Sequence, residues 1–144
     1  MRIVVANGPN LNLLGSREPE IYGTETLADV ERLVRRRAEA AGVELNFFQT
    51  NHEGVMLDRL QAEAPGSGGV IINPGALTHQ SYALYDCLKA LAVPVLEVHL
   101  TNLHARAEAF RPHSLTAPAA TGVIMGLGSQ GYVLALEWFI DRNE

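Results

Sequence analysis

Short apolar runs alternate with longer amphipathic segments along the chain, and this alternation restricts the possible fold more than any other feature of the sequence. The run at residues 70–72 is typical because it is apolar at consecutive positions, as expected for a parallel strand that helices cover on both faces. Five such runs lie at residues 3–5, 45–48, 70–72, 95–100 and 123–125, and helical patterns occupy residues 26–41, 53–64, 79–92 and 130–141. The sequence therefore predicts a β-α repeat with five strands.

The first helical segment carries the clearest local signals. Thr26 and Asp29 have the spacing of a capping box, and Gly42 follows the segment as a helix stop. We predict an α/β fold with a flavodoxin-like, doubly wound, five-stranded parallel sheet in the common strand order 2-1-3-4-5. A single domain spans residues 1–144, since a chain of this length with 47% apolar residues can bury one core.

Composition argues against several function classes. A formal net charge of −5 disfavours binding to nucleic acid. Cys87 is the only cysteine, so the chain has no internal disulfide, and a reducing, cytoplasmic location is expected. The first residues have no signal-peptide pattern, and no apolar run reaches the roughly 20 residues that span a bilayer. We therefore expect no nucleic-acid or membrane partner.

Polar residues follow each predicted strand, at residues 7–12, 49–53, 73–75, 99–102 and 126–130. Ligands of open parallel sheets bind beyond the carboxyl ends of the strands, so these segments converge on one candidate site. Asn, Gly, Pro and Ser also form turns, which is the alternative explanation for any single segment. Amide side chains at three successive strand ends, together with His99, favour a small-molecule site for hydroxyl and carboxylate groups.

The same strand ends do not carry the motifs of a metal or cofactor site. Asn7 and Asn10 follow the first strand in place of the acidic cluster that binds Mg²⁺, and the histidines lack the paired spacing of zinc peptidases. The phosphate-binding GxxxxGK[ST] motif is absent, and residues 126–131 are only weakly similar to a dinucleotide-binding loop. We expect no metal and no cofactor, with flavin or nicotinamide binding as the alternative.

The segment after the first predicted strand, residues 8–24, has the length of an active-site lid. It contains Arg17 and Tyr22. A guanidinium beside a phenol lowers the pKa of the phenol toward the range in which the phenolate acts as a base. The alternative is a solvated arginine and a tyrosine that only packs. His99, at a strand end, is the candidate for the matching acid.

Four blocks of sequence carry most of these polar residues. They are NGPNLNLLG at residues 7–15, followed by Arg17, Pro19, Tyr22 and Gly23; QTNHEG at 49–54; NPGALTH at 73–79; and EVHLTN at 97–102. In this order they resemble the type II 3-dehydroquinate dehydratase family. The similarity continues through residues 122–128 and the last helical segment, so it covers nearly the whole chain. It implies the flavodoxin-like fold and a single catalytic domain.

The resemblance implies trans-elimination of water from 3-dehydroquinate, which gives 3-dehydroshikimate on the shikimate route to chorismate and aromatic amino acids. The family reaction passes through an enolate, without a Schiff base or cofactor. The sequence agrees, because the only lysine, Lys89, lies in an amphipathic segment where a solvated position is the simpler interpretation. Two rival functions remain: a flavodoxin-like ligand-binding module without turnover, and a flavin-dependent reductase.

The family reaction also implies catalytic roles. Tyr22 removes the proton beside the ketone, and Arg17 holds its phenolate. Asn10 orients a water molecule against the developing enolate oxygen, where a prealigned dipole is most effective. His99 protonates the departing hydroxyl.

The carboxylate partner of His99 is left open between two residues. Glu97 lies two positions earlier, so it points to the same side of the strand as His99 if strand geometry continues. Glu53, after the second strand, is the other candidate.

The resemblance further implies a substrate-binding set: Asn73 and His79 for ring hydroxyls, Leu100 and Thr101 for the carboxylate, and an arginine. The arginine is either Arg106 or Arg111, because the segment between them is one residue longer than the common family spacing. On a helix these two residues would point in different directions. Arg111, directly after Phe110, is the better match.

Asp86 matches a family position that reaches the substrate in the site of a neighbouring subunit. Its alternative role is that of a polar residue on a helix face. The resemblance thus implies a homo-oligomer in which trimers assemble into a dodecamer.

Overall fold

The computed structural model describes residues 1–16 and 18–143, with the backbone alone at residue 22. Five strands form one sheet: β1 (Arg2–Asn7), β2 (Glu44–Gln49), β3 (Gly69–Asn73), β4 (Val95–His99) and β5 (Gly122–Met125). All neighbouring strands are parallel, and their order is β2-β1-β3-β4-β5. The predicted doubly wound α/β fold and its strand order are confirmed.

The helices connect and cover these strands. They are α1 (Pro19–Tyr22), α2 (Leu27–Ala40), α3 (Glu53–Glu63), α4 (Leu77–Gln80), α5 (Tyr82–Ala90) and α6 (Gln130–Asn143), with 3-10 turns at Leu11–Leu13, Leu103–Ala105 and Ala117–Ala119. The predicted capping box starts α2: the Thr26 hydroxyl accepts the Asp29 N–H at 3.1 Å, and the Asp29 carboxylate accepts the Thr26 N–H at 2.9 Å. No described helix combines the length and apolar character of a membrane span.

The single helix predicted over residues 79–92 is two helices in the structure. The break falls at Ser81, whose backbone is extended at φ −98° and ψ 96°. Its hydroxyl accepts the N–H of Leu84 at 2.9 Å and donates to the Glu53 carboxylate at 2.6 Å. A serine that caps the next helix competes with helix continuation, and the apolar periodicity alone does not reveal this competition.

Both faces of the sheet are buried. Ile3, Val5 and Ile71 face α2 and α6, whereas Val4 and Ile72 face α3 and α5. Successive side chains of a strand point to opposite faces, so each continuous apolar run supplies both layers of the core. With both faces covered, the carboxyl edge of the sheet is where polar side chains can gather.

The loops after β1 and β3 touch at this edge, where the strand order reverses. A Cβ on Gly8 would lie 2.2 Å from the carbonyl oxygen of Pro74, and the Gly8 N–H donates to the Asn73 carbonyl at 2.8 Å. Gly75, at φ +59°, makes the reciprocal approach to Pro9. Only residues without a side chain allow the two backbones to come so close.

Candidate active site

A cleft of about 610 Å³, including its open mouth, lies at the carboxyl edge of the sheet. The chain runs from β1 to β2 on one side and reaches β3 on the other, so this is the topological switch point where such sheets bind ligands. Most of the predicted site residues line it: Asn10, Asn73, His79, His99, Leu100, Thr101 and Arg111. Residues from the ends of separate strands therefore converge on one cleft.

His99 and Glu97 form a buried pair at the end of β4. The ring Nε2 of His99 lies 2.8 Å from Glu97 Oε2, and the side chains are 5% and 0% exposed. Burial alone raises the pKa of Glu97, but the hydrogen bond and charge of His99 and the hydroxyls of Thr116 and Ser114 outweigh it and lower the pKa. An ionised carboxylate only accepts, so the His99 N–H donates to it.

This geometry decides between the two candidate partners of His99. Glu97 and His99 point to the same side of β4, as expected for positions i and i+2 of a strand. Glu53 is exposed and accepts a hydrogen bond from Ser81 instead. The partner is Glu97.

His79 presents an acceptor nitrogen in the cleft. Its Nδ1 lies 2.9 Å from the carbonyl oxygen of His113, so Nδ1 is the protonated donor and Nε2 is the acceptor of the neutral ring. Among the described residues, Nε2 is buried and has no hydrogen-bond partner. Burial, with the charges of Arg111 and His99, lowers the pKa of His79 and keeps the ring neutral. Such an acceptor suits a ligand hydroxyl.

Both candidate arginines line the cleft, whereas on a helix they would point in different directions. The chain between them is a sequence of turns and not a helix, so side chains five positions apart can converge. Arg106 donates to the Thr101 hydroxyl at 3.3 Å and pairs with Glu108 at 3.3 Å. Arg111 stacks on the Phe110 ring at 4.6 Å, and its Nε is buried without a hydrogen-bond partner in the described part of the chain.

Asn73 is held by a buried network that the sequence did not reveal. Its Nδ2 donates to the hydroxyl of Tyr132 at 3.0 Å, and its Oδ1 accepts the Gly75 N–H at 3.1 Å. The Tyr132 hydroxyl in turn donates to Asn7 Oδ1 at 2.7 Å. The only sequence signal is a tyrosine in the apolar stripe of the last helix, and nothing local names its partners.

Asn10 lies at the rim of the cleft in the left-handed conformation, at φ 69°. Its N–H donates to Asn51 Oδ1 at 3.0 Å, and the same oxygen accepts from the Gln49 side chain at 3.0 Å. Gln49 also donates to the Gly8 carbonyl at 3.1 Å. The amides that follow β2 thus order the loop that follows β1.

Of the other three predicted site residues, one is described and lies away from the cleft of its own chain. Arg17 and the side chain of Tyr22 lie outside the described residues, and only the backbone of Tyr22 is seen, at the end of α1. Asp86 is exposed on α5 and is not among the residues that line the cleft of its own chain. Within residues 1–16 and 18–143, no three His, Cys, Asp or Glu side chains cluster as metal ligands.

The fold and the cleft together are those of a doubly wound α/β enzyme with a histidine–carboxylate pair in its small-molecule site. The family model of class II dehydroquinases matches residues 1–140. A 3-dehydroquinate dehydratase of Herpetosiphon aurantiacus is 55% identical over 143 residues, covering 99% of each chain. One from Dinoroseobacter shibae is 53% identical over 137 residues, covering 95% of this chain and 91% of the relative.

Solved structures agree with the sequence comparisons. The type II dehydroquinase of Propionibacterium acnes superposes with a TM-score of 0.93 at 41% identity, covering 97% of this chain and 96% of that one. The type II dehydroquinase of Butyrivibrio crossotus gives a TM-score of 0.93 at 40% identity, covering 96% and 97%. The chain belongs to the class II dehydroquinase family.

Proposed function

We propose that this chain dehydrates 3-dehydroquinate to 3-dehydroshikimate, as a hydro-lyase of the shikimate pathway. The observation that carries the proposal is the His99–Glu97 pair, buried at the cleft where the ring can deliver a proton. The names of its relatives, 3-dehydroquinate dehydratases at above 50% identity over nearly the full length, support the same reaction.

The catalytic roles follow from the chemistry of the elimination. Tyr22, as phenolate beside Arg17, takes the proton next to the ketone, and the electron pair moves into an enolate. Asn10, at the cleft rim, orients water against the enolate oxygen. The enolate then expels the hydroxyl on the neighbouring carbon, and His99 protonates it so that it leaves as water.

Substrate binding uses the remaining groups of the cleft. The unpartnered Nε2 of His79 accepts a ring hydroxyl, and Asn73 binds a second. Leu100 and Thr101 bind the carboxylate. Arg111 is the arginine that completes this set, because its Nε is buried without a hydrogen bond in the described residues and has only the longer ion pair to Glu108 at 3.7 Å. Arg106 instead orders Thr101.

Turnover is measured by mixing purified protein with 3-dehydroquinate and following the enone absorbance of the product. We expect His99→Gln to lower kcat by about 10² to 10⁴, the usual contribution of a general acid. Tyr22→Phe removes only the proton-accepting oxygen, so turnover should be lost while substrate binding persists. Binding without turnover in the folded wild-type protein would identify a ligand-binding module instead.

The roles of Arg106 and Arg111 can be distinguished by how much each substitution raises KM. Arg111→Lys keeps the charge but loses the planar pair of donors, and we expect KM to rise about tenfold or more with kcat less affected. Arg106→Lys is the matched substitution. A larger rise of KM in that variant would reverse the assignment.

We propose that the reaction uses neither an imine nor a bound metal or cofactor. Lys89 is exposed on α5, away from the cleft. Activity should survive borohydride in the presence of substrate, and also extensive dialysis against chelator. Inactivation with covalent labelling of Lys89 would overturn the imine-free mechanism.

We also propose that residues 8–24 act as a lid within one catalytic domain, and that the enzyme is cytoplasmic.

We further propose that trimers of this chain assemble into a dodecamer. The exposure of Asp86 away from its own cleft supports a role in a neighbouring subunit's site. Light scattering gives the assembly mass. Asp86→Ala should raise KM in a fully assembled enzyme, whereas an active monomer would exclude the shared site.

A further inference from the structure

Three hydroxyl groups surround the carboxylate of Glu97. The Thr116 hydroxyl donates to Oε1, and the Ser114 hydroxyl donates to Oε2 at 3.1 Å. The Thr78 hydroxyl lies 3.3 Å from Oε2, 2.6 Å from the Thr116 hydroxyl and 2.8 Å from that of Ser114. Thr78 lies on α4, after β3, and the other two residues precede β5, so separate segments of the chain converge on one buried side chain. We call Thr78, Ser114 and Thr116 the hydroxyl cluster.

The hydroxyl cluster matches the needs of a buried charge. Glu97, Thr78 and Thr116 are 0% exposed, and an ionised carboxylate at such a position requires hydrogen-bond donors at both oxygens. His99 supplies one donor at Oε2, and the cluster supplies the rest. These hydrogen bonds, with the charge of His99, lower the pKa of Glu97 against the opposing effect of burial.

We propose that the hydroxyl cluster positions the catalytic acid: it holds Glu97 ionised and in one orientation, so that His99 keeps one ring N–H on Glu97 and turns its other nitrogen to the cleft. This inference rests on the proposed role of His99 as the acid. The hydroxyls do not touch the substrate and act through Glu97. They are therefore positioning residues for the proton transfer.

The other groups near Glu97 are consistent with this assignment. On the neighbouring strands, Glu97 pairs with Ile72 and Val123, which do not titrate. The titratable or charged groups that face this part of the cleft are His99 on β4, His79 on α4, and the arginines 106 and 111 of the following loop. The hydrogen bonds to the Glu97 carboxylate come from His99 and from the hydroxyl cluster.

The decisive comparison is Thr116→Val against Thr116→Ser. Valine keeps the shape but removes the donor, so the pKa of Glu97 rises and the carboxylate is neutralised at a higher pH. We expect kcat to fall about tenfold, KM to change less than about twofold, and the acidic limb of the kcat profile to move up by about one pH unit. Serine should restore kcat and the acidic limb.

Two further variants keep the test decisive. Ser67→Ala removes a hydroxyl that donates to the Ala64 carbonyl at 2.7 Å, far from the cleft, and should leave both kcat and the acidic limb unchanged. Ser114→Ala, at a less buried position, should shift the limb in the same direction if Thr116→Val fails to fold. An unchanged limb in a folded Thr116→Val or Ser114→Ala enzyme overturns the proposal.

A measurement without turnover separates this inference from the proposed function. In protein labelled with ¹⁵N at histidine, the ring nitrogen shifts of His99 report which of its nitrogens carry protons. We expect the nitrogen that faces Glu97 to hold its proton fully in the wild type, whether or not the nitrogen that faces the cleft is also protonated, and to hold it only in part in Thr116→Val. Equal protonation of that nitrogen in both proteins would reject the positioning role, whatever reaction the enzyme catalyses.

Discussion

The hydroxyl of Tyr132 supports the most quantitative prediction. Tyr132 is fully buried on α6, donates to Asn7 Oδ1 at 2.7 Å and accepts from Asn73 Nδ2 at 3.0 Å. Burial raises the pKa of Tyr132, so the phenol keeps its proton throughout the neutral range. Tyr132→Phe removes this single oxygen and retains the ring in the core.

The cost follows from the atoms that the substitution leaves without partners. Asn7 is 0% exposed and Asn73 is 3% exposed, so water reaches the first poorly and the second only from the cleft. A buried polar atom without a partner costs about 1–3 kcal/mol. Because Asn73 retains some access to solvent, we expect the free energy of unfolding to fall by about 2–4 kcal/mol.

Urea unfolding at 25 °C, repeated at several protein concentrations to account for assembly, measures this loss. The slope of the free energy against urea should stay constant. Tyr82→Phe is the matched control, because Tyr82 is 72% exposed and should change stability by less than about 0.5 kcal/mol. A loss below about 1 kcal/mol for Tyr132→Phe, at constant slope, would refute the inference that the substitution leaves buried atoms of Asn7 and Asn73 without partners.

Three other predictions test the fold and its charges. Gly8→Ala would put a Cβ 2.2 Å from a backbone carbonyl oxygen and should prevent soluble expression, whereas Gly54→Ala, with open space at its Cβ, should raise the urea midpoint slightly. Thr26→Ala removes one half of the α2 capping box and should lower the unfolding free energy by about 1 kcal/mol in the same assay. The pKa of Glu97 is lowered from its ordinary value of 4.5, so its contribution to the free energy of unfolding is complete above pH 4.5 and is lost as the pH falls through the lower pKa of the folded state. When stability is measured against pH, Glu97→Gln should therefore lose less stability in acid than the wild type. Equal pH dependence of the two proteins would argue against this contribution of Glu97.

Much of the fold could be predicted because it depends on short-range patterns. The continuous apolar run at residues 70–72 requires cover on both faces, and Thr26 with Asp29 caps a helix through atoms three residues apart. The strand order is predicted only as the commonest order for such a β-α repeat with right-handed crossovers, and the structure has this order. The same patterns missed the break at Ser81, because its capping bond and its contact with Glu53 do not alter the apolar periodicity.

The sequence also determined which residues gather at the carboxyl edge, because parallel strands all end there. It placed His99 and Glu97 on the same side of β4, since alternate residues of a strand share a face. It left the partner of His99 open, because Glu53 follows a strand as well and only the packing directs its side chain to Ser81.

Only the tertiary structure decided how the side chains of the cleft meet. Arg106 and Arg111 line one cleft because the chain between them runs through turns and not through a helix. Farther along, the same loop is hydrogen-bonded to His79 and to Thr78. The Tyr132 hydroxyl meets Asn7 across 125 residues of sequence. Such contacts depend on how separate elements pack, and no local preference encodes them. The sequence determined the edge of the sheet at which the polar side chains gather, and the long-range packing decided which partners hold Glu97, Asn73 and His79 there.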